Sequence, residues 1–321
     1  MGKRPAFSFV QEASFFLAIS VILALGRPQC TMADDIPPEI QEIRQGVIRR
    51  LQSIREFHAH IDRTGKSPRG PQMHVNYTVD WNATHWRVDE ATDNHFGILE
   101  GKPEQLAEGM RSVLILRPDR CIRYFPVRLA NGAPIISTST PCEKLSADSL
   151  RVRKWHLLGL FALGDAFLSR YGIEDVMTMS GEDIQYSSKP VLWETQHAVE
   201  VTLRRPRDGL VSRTIVSLDH RVLMVELESK GSLHRTTASD WKPCDDGFYW
   251  PHQIHHEHLR KGELFSDEKF QLSEVRINTG IDPKQFTVES LDFQEGDWFR
   301  VFEVDNSSAT YIWRDGEFVE R

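Results

Sequence analysis

The stretch VLMVELES at residues 222–229 decides the fold class. Apolar side chains occupy positions 223, 225 and 227, and glutamates occupy 226 and 228, so an extended chain would have one apolar and one mostly polar face. The link KGSLH (230–234) follows directly, and a second strand pattern begins at Arg235. Strands joined by so short a link are antiparallel neighbours. The stretch therefore predicts an antiparallel sheet with one face on a core.

The same pattern continues on both sides of this stretch. Short polar links such as RPRDG (205–209) and KPCDDG (242–247) separate the apolar segments. The predicted strands of this region lie at 192–204, 210–218, 222–229, 235–241, 248–260 and 265–278. Upstream, a hairpin (74–80 with 84–90) and strands at 112–116 and 121–129 are predicted. Strands that follow one another with short links predict an up-and-down sheet.

Residues 34–58 carry the pattern of a helix. Pro37 and Pro38 are tolerated in a first helical turn, and apolar residues recur at spacings of three and four. These stripe residues are Ile40, Ile43, Val47, Leu51, Ile54 and Phe57. A single apolar stripe predicts that the helix lies on a large apolar surface.

A second apolar segment lies in the middle of the chain. KWHLLGLFALGDAFLSR (154–170) is apolar on nearly every side, which is typical of a buried helix. Two interpretations are open: the helix completes the core, or it forms the wall or lid of a ligand cavity. The residues predicted to bind the ligand in the second case are Trp155, Leu158, Phe161, Leu163 and Phe167.

Together these patterns predict a mainly β protein with helices (α+β). We expect a curved antiparallel sheet or half-barrel, with the N-terminal helix and the apolar central helix packed against its concave face. Residues 34–321 contain no repeat and no low-complexity linker, so they are predicted to form one domain. Its last part, residues 297–321, is an additional tail rich in aromatic residues.

The first 33 residues have the features of a secretory signal peptide. Lys3 and Arg4 give a basic start, an uncharged apolar run follows at 13–25, and Thr31-Met32-Ala33 offers a cleavage site after Ala33. The run is shorter than the roughly 20 residues that a spanning helix needs. Acylation at Cys30 and an uncleaved anchor are the alternatives. The sequence predicts a periplasmic or secreted protein with no stable membrane span after cleavage.

Two cysteines flank a predicted hairpin. Asn131-Gly132 is a strong signal for a two-residue turn, and counting outward from it places Cys121 opposite Cys142. Directly opposite residues of a non-hydrogen-bonded pair are close enough for a disulfide, which the oxidising exterior favours. The sequence therefore predicts a Cys121–Cys142 bridge. A bulge at one of the nearby prolines would shift this register.

Histidines are concentrated in HQIHHEH (252–258). In a strand, His252, His256 and His258 share one face, and a third metal ligand beside His256 and His258 would come from His234 or Asp240 on the preceding strand. The alternative is a solvent-facing strand that carries several histidines without a metal. The spacing matches no known metal motif, and the sequence favours the solvent-facing strand.

Composition and motifs exclude other classes of function. The net charge is −7, and Lys and Arg are scattered without a basic stripe, so a nucleic-acid partner is not expected. The GxSxG, GxGxxG and P-loop motifs are absent. No catalytic residue and no cofactor are predicted.

The C-terminal half resembles a known family. The turn DGFYWP (246–251) runs into a charged strand, and VRIN (275–278), IDP (281–283) and FT (286–287) follow. This arrangement is similar to the LolA/LolB-like family of outer-membrane lipoprotein-sorting proteins. The resemblance implies a half-barrel of antiparallel strands with an apolar cavity under helices, which carries acyl chains across the periplasm. This chain is longer than such carriers and adds the tail 297–321.

The resulting functional hypothesis is an exported binding protein. It would hold a lipid or another hydrophobic ligand, such as an acyl chain, and act in lipoprotein sorting or envelope sensing beside lipoproteins or envelope proteins. One alternative is a structural or regulatory envelope protein that recruits a partner through its sheet edge or its aromatic tail. The other is an enzyme that uses a metal on the 252–258 histidines.

Overall fold

The computed structural model describes residues 36–66, 73–82, 84–92, 96–99, 102–105, 109–142 and 183–321. The predicted signal peptide and the apolar segment 154–170 lie outside the described residues. Both predictions, and the prediction of a single domain over 34–321, therefore stay predictions.

Helix α1 spans Pro38–Gln52, with a proline in its first turn. The helix is shorter than the predicted 34–58, because Glu56 already pairs with Asn82 in the sheet. The apolar stripe is confirmed: Ile40, Val47 and Ile54 are buried, and Phe57 continues it as a buried residue of the first strand.

Eighteen strands follow in the described part of the chain. Those before residue 142 are β1 (Glu56–Lys66), β2 (Met73–Asn82), β3 (His85–Thr92), β4 (Phe96–Leu99), β5 (Lys102–Gln105), β6 (Met110–Leu116), β7 (Arg120–Tyr124) and β8 (Ser137–Pro141). Those after residue 183 are β9 (Gln185–Trp193), β10 (Gln196–Arg205), β11 (Leu210–Ser217), β12 (Val222–Ser229), β13 (Ser232–Pro243), β14 (Tyr249–Arg260), β15 (Glu263–Ile277), β16 (Trp298–Phe302), β17 (Ser308–Arg314) and β18 (Glu317–Glu320).

Sixteen of these strands form one sheet, and β4 and β5 form a separate ribbon. The order is β18-β17-β16-β8-β7-β6-β3-β2-β1-β15-β14-β13-β12-β11-β10-β9. The predicted up-and-down meander is confirmed from β9 to β15, except that predicted strand 192–204 contains the β9–β10 turn at Glu194. That turn has no glycine or proline to mark it.

The sheet is open rather than curled into the predicted half-barrel. Strand β1 pairs with β2 on one side and with β15 on the other, so it joins two meanders edge to edge in one layer. Strand β16 then adds to β8 in parallel, which extends the sheet instead of closing it. The two edge strands are β9 and β18.

Different elements cover the two faces of the sheet. On the face that we call the helix face, Val47 and Ile54 belong to one core cluster with strand residues such as Ala59, Leu227 and Ile254. On the opposite face, which we call the closing face, the segment 281–293 packs against β6 and β7. The core therefore lies in two layers, one on each side of the sheet.

Strand β12 shows that part of the closing face is buried rather than exposed to solvent. Val225 and Leu227 point into the helix-face core, as predicted. Glu226, between them, is 4% exposed and forms ion pairs with Arg213 and, at 2.7 Å, with Arg235. The sequence expectation of a solvent-facing glutamate is wrong, because cationic residues of both neighbouring strands lie over it.

The structure does not show the predicted Cys121–Cys142 disulfide, and the hairpin has another register than predicted. Cys121 lies opposite Thr140, and Arg120 lies opposite Pro141. The hairpin closes through Leu129 and Ala133 around three residues, not the predicted two. A further one-residue shift between the Arg128–Pro134 bridge and the β7–β8 ladder leaves Cys142 diagonal to Cys121. Diagonal neighbours are about 7–8 Å apart, beyond the usual reach of a disulfide.

The aromatic tail 297–321 is part of the sheet. It contains β16, β17 and β18. The ring of Phe318 packs at 4.9 Å from that of Phe293 and at 4.7 Å from that of Trp313, and Phe299 is buried in the same cluster. The tail thus covers the closing face beside the segment 281–293.

Candidate functional site

The helix face carries the largest apolar surface of the described residues. It extends over seven neighbouring strands, from β3 to β12. Its members on these strands include Phe57, Ala59, Ile61, Val75, Val79, Val88, Val225, Leu227, Ala238, Ile254, Phe270 and Leu272. Seven strands at about 4.8 Å spacing make a surface roughly 29 Å wide.

Helix α1 lies on the β9–β14 side of the helix face. Its first half packs on Val201 and Tyr186, on β10 and β9. Gly46 lies against His220 of the β11–β12 turn, so closely that a Cβ there would fall 2.3 Å from the imidazole Nδ1. Near the C-terminal end, Arg50 donates a hydrogen bond to the carbonyl of Tyr249 at the start of β14. These contacts place α1 over β9–β14.

A band of buried polar groups crosses the helix face beside the apolar surface. Arg63 donates to Glu268 at 2.9 Å and to the hydroxyl of Tyr77 at 3.2 Å. Both partners of the Arg63–Glu268 ion pair are largely buried. Glu90, on the neighbouring strand, has a raised pKa because burial disfavours its charged form. The helix face is therefore amphipathic, with an apolar surface bordered by ionisable groups.

The polar band continues into a histidine triad made of His234, His256 and His258. The His234 and His258 rings stack with centroids 3.9 Å apart, and the His234 and His256 centroids are 5.8 Å apart. His258 Nε2 is 2.8 Å from the hydroxyl of Ser232, and His256 Nδ1 is 3.0 Å from that of Thr236. The triad is held by ring stacking and by hydroxyl hydrogen bonds.

The triad is buried, so the expectation of a solvent-facing strand is wrong. The three residues are 1–4% exposed. Burial, and then the neighbouring His234 and His258, lower the pKa of His256 to about 3. His256 is therefore neutral at physiological pH.

The predicted metal ligands are brought together only in part. His234 does join His256 and His258, but the rings lie face to face rather than pointing at one common atom position. His252 is occupied by the carbonyl of Leu272, at 3.1 Å from Nδ1, and Asp240 pairs with Lys242 at 2.9 Å. The triad is a packed core element in this arrangement.

Converging ligand atoms occur elsewhere in the described part of the chain. His58, His60 and Glu274 offer three atoms within 4.8 Å of one another, on the closing face. The sequence analysis missed this group. The H-x-H spacing of His58 and His60 on a strand could have indicated it, whereas Glu274 is 214 positions from His60 and only the pairing of β1 with β15 brings it near.

A groove of about 590 Å³ lies beside this group on the closing face, and we call it the polar groove because most of its lining residues are polar. Its lining includes His60, Asp62, Asn76, Thr78, Asp89 and Arg111. The two faces thus differ: the helix face offers a wide apolar surface, and the closing face offers a polar groove.

The predicted cavity residues Trp155, Leu158, Phe161, Leu163 and Phe167 lie outside the described residues. Their role stays a prediction. Among the residues that the structure describes, no helix has the length and apolar character needed to cross a membrane.

Comparison with known proteins gives matches in structure alone. No family model and no curated protein matches the chain. A DUF1329 family protein from Desulfovibrio piger aligns with 79% of this chain and 99% of its own, at 10% identity and a TM-score of 0.45. An outer-membrane lipoprotein-sorting protein domain from Vibrio parahaemolyticus aligns with 78% and 98%, at 13% identity and a TM-score of 0.44.

A LolA superfamily protein from Nitrosomonas europaea aligns with 78% of this chain and 99% of its own, at 11% identity and a TM-score of 0.41. The structural neighbours thus include LolA-like and lipoprotein-sorting proteins, the family that residues 246–287 resemble. At these identities and TM-scores the likeness assigns neither a family nor a ligand to this chain.

Proposed function

We propose that this protein is an exported binding protein that holds a hydrophobic ligand, such as an acyl chain, on the helix face of its sheet. The observation that supports this most is the buried apolar cluster that extends from β3 to β12 beside the polar band. A single-layer sheet needs a second layer to bury such a face, and α1 packs on its β9–β14 side.

The connectivity supports the same proposal. Strands β8 and β9 follow one another in the sequence, yet eleven strands separate them in the sheet. The apolar segment 154–170, whose ligand-binding role is predicted from the sequence, belongs to the part of the chain between these two strands. We propose that the acyl chain lies on the helix face.

The energetics fit a ligand of low polarity. Each CH₂ group removed from water contributes roughly 0.8 kcal/mol, so an acyl chain binds without a precise set of polar contacts. The polar band at Arg63, Glu268 and Glu90 borders the apolar surface and suits the polar end of an amphipathic molecule. Export, predicted from residues 1–33, belongs to the same proposal.

The alternative of a partner-recruiting aromatic tail is less favoured. Phe299, Trp313 and Phe318 pack against the segment 281–293 and against one another, so these rings serve the core of this chain. A tail that recruits a partner would present such rings to solvent.

Titration of the delipidated full chain with a fluorescent fatty acid tests the proposal. We expect saturable binding that unlabelled fatty acid displaces, and at least tenfold weaker binding for the double variant F161D/F167D. The matched control is L192D/L218D, which places the same charges at leucines that are 66% and 71% exposed. The proposal fails if the folded wild-type chain takes up no fatty acid.

A further inference from the structure

We infer that His58, His60 and Glu274 form a binding site for a divalent transition-metal ion, with zinc the best fit to the ligand set. This site lies on the closing face and is independent of the proposed ligand on the helix face. Two imidazoles and one carboxylate are the protein ligands of many zinc sites that keep a fourth position open.

The distances match tetrahedral coordination. The three ligand atoms lie within 4.8 Å of one another, and His60 Nε2 is 3.4 Å from a carboxylate oxygen of Glu274. Ligands at 2.0–2.2 Å from a tetrahedral zinc ion are about 3.3 Å apart. Small side-chain rotations would bring His58 to the same separation.

The second ring nitrogen of each histidine is already engaged. His58 donates from Nδ1 to a carboxylate oxygen of Asp80 at 2.7 Å. His60 Nδ1 lies 2.8 Å from the hydroxyl of Thr78. A carboxylate or hydroxyl on one imidazole nitrogen fixes the ring and directs the other nitrogen to the metal, as second-layer residues of metal sites do.

His58 supplies an independent sign of a ligand. The residue is 8% exposed, and its Nε2 is buried without a hydrogen-bond partner among the described residues. A buried polar atom without a partner is destabilising, and few such atoms occur in folded proteins. A metal ion beside His60 would satisfy it.

A bulge directs Glu274 to this place. His58 pairs with Arg276 and His60 with Ser273, so two residues of β15 lie opposite Ala59. Glu274 is one of these two and has a positive φ of 52°, a conformation that costs energy in a non-glycine residue. Bulges of this kind re-aim side chains beside functional sites.

The groove gives the metal an accessible side. His60 lines it together with Ser273, the residue before Glu274. The histidine triad on the helix face also has a buried nitrogen without a hydrogen-bond partner, Nε2 of His256. Its rings stack, however, and the described part of the chain brings no carboxylate into a converging set with them. The closing-face group is therefore the metal site that we propose.

Isothermal titration of the metal-free full chain with Zn²⁺ tests the proposal. We expect one ion per chain, and at least hundredfold weaker binding for H58A and for E274Q. Glu274 has a side chain that is 68% exposed, so E274Q is expected to fold like the wild type and keeps the test valid if H58A is unstable. The Co²⁺-loaded protein should show the intense visible absorption of a tetrahedral site.

Two control variants separate this site from other histidines. H197A removes an exposed histidine on β10, and H256L removes the most buried residue of the triad; both should bind Zn²⁺ like the wild type. Absence of stoichiometric binding in the wild type would overturn the proposal. So would equal weakening by H197A, or full affinity in E274Q.

Discussion

The two faces of the sheet carry histidines in the same strand spacing and use them differently. On the helix face, His256 and His258 stack with His234, and hydroxyl groups bind their nitrogens. On the closing face, His58 and His60 each use one nitrogen for a side chain of β2 and have the other near Glu274. The residues on the paired strands, rather than the H-x-H spacing itself, therefore decide what a histidine pair does.

Adjacent residues of β15 allow the largest test of this difference. Glu268 pairs with buried Arg63 on the helix face, whereas Asp267 pairs with half-exposed His255 on the closing face. Removing one partner of a buried pair leaves an uncompensated charge, so E268A should lower the free energy of unfolding by about 3–5 kcal/mol. D267A should cost about 1 kcal/mol or less. Urea denaturation of both variants measures this, and equal losses would contradict the assignment of the two faces.

Acid stability tests the burial of His256 on the helix face. The folded-state pKa of His256 is about 3, below its ordinary value of 6.5, so the unfolded chain binds a proton that the folded chain does not. Above pH 6.5 His256 is neutral in both states and does not change the free energy of unfolding. As the pH falls from 6.5 toward 3, protonation of the unfolded chain lowers that free energy progressively. The slope between these values is about 1.4 kcal/mol per pH unit.

Urea denaturation at several pH values between 7 and 4 tests this prediction. Below pH 6.5, the free energy of unfolding of H256L should fall by about 1.4 kcal/mol per pH unit less than that of the wild type. A wild-type-like acid dependence in H256L would show that His256 is not held neutral by its burial.

A smaller effect is expected from the residue that fixes His58 on the closing face. Asp80 fixes the ring of His58, so D80N should weaken Zn²⁺ binding by about 10–100-fold. The matched control is D62N, whose carboxylate pairs with His74 at 3.0 Å on the same face. Titration calorimetry measures the Zn²⁺ affinity of both variants. If D80N binds Zn²⁺ as tightly as D62N, Asp80 does not position a metal ligand.

Much of the fold could be predicted from the sequence because the signals are local. The alternation at 222–229, the short links and the apolar stripe of α1 depend on neighbours a few residues away, and β9–β15 formed as an up-and-down meander. The open sheet depends on the pairing of β1 with β15 and of β16 with β8, which join distant parts of the chain. No local pattern encodes such pairings.

Register explains the errors at individual residues. A three-residue loop instead of two, and a further one-residue shift between the Arg128–Pro134 bridge and β7–β8, moved Cys142 away from the position opposite Cys121. A bulge opposite Ala59 brought Glu274 to His60, although nothing in residues 270–277 marks it. Shifts of one or two residues change cross-strand partners completely. The triad was found in part because His234 and His258 lie on consecutive strands with a short link.

Native mass spectrometry of the full chain, purified without detergent, tests the central claim most directly. The account predicts an adduct with the mass of an acyl-chain lipid, one per chain, that disappears on organic extraction and returns when fatty acid is added. A folded chain that carries no adduct after purification and takes up no fatty acid afterwards would contradict it.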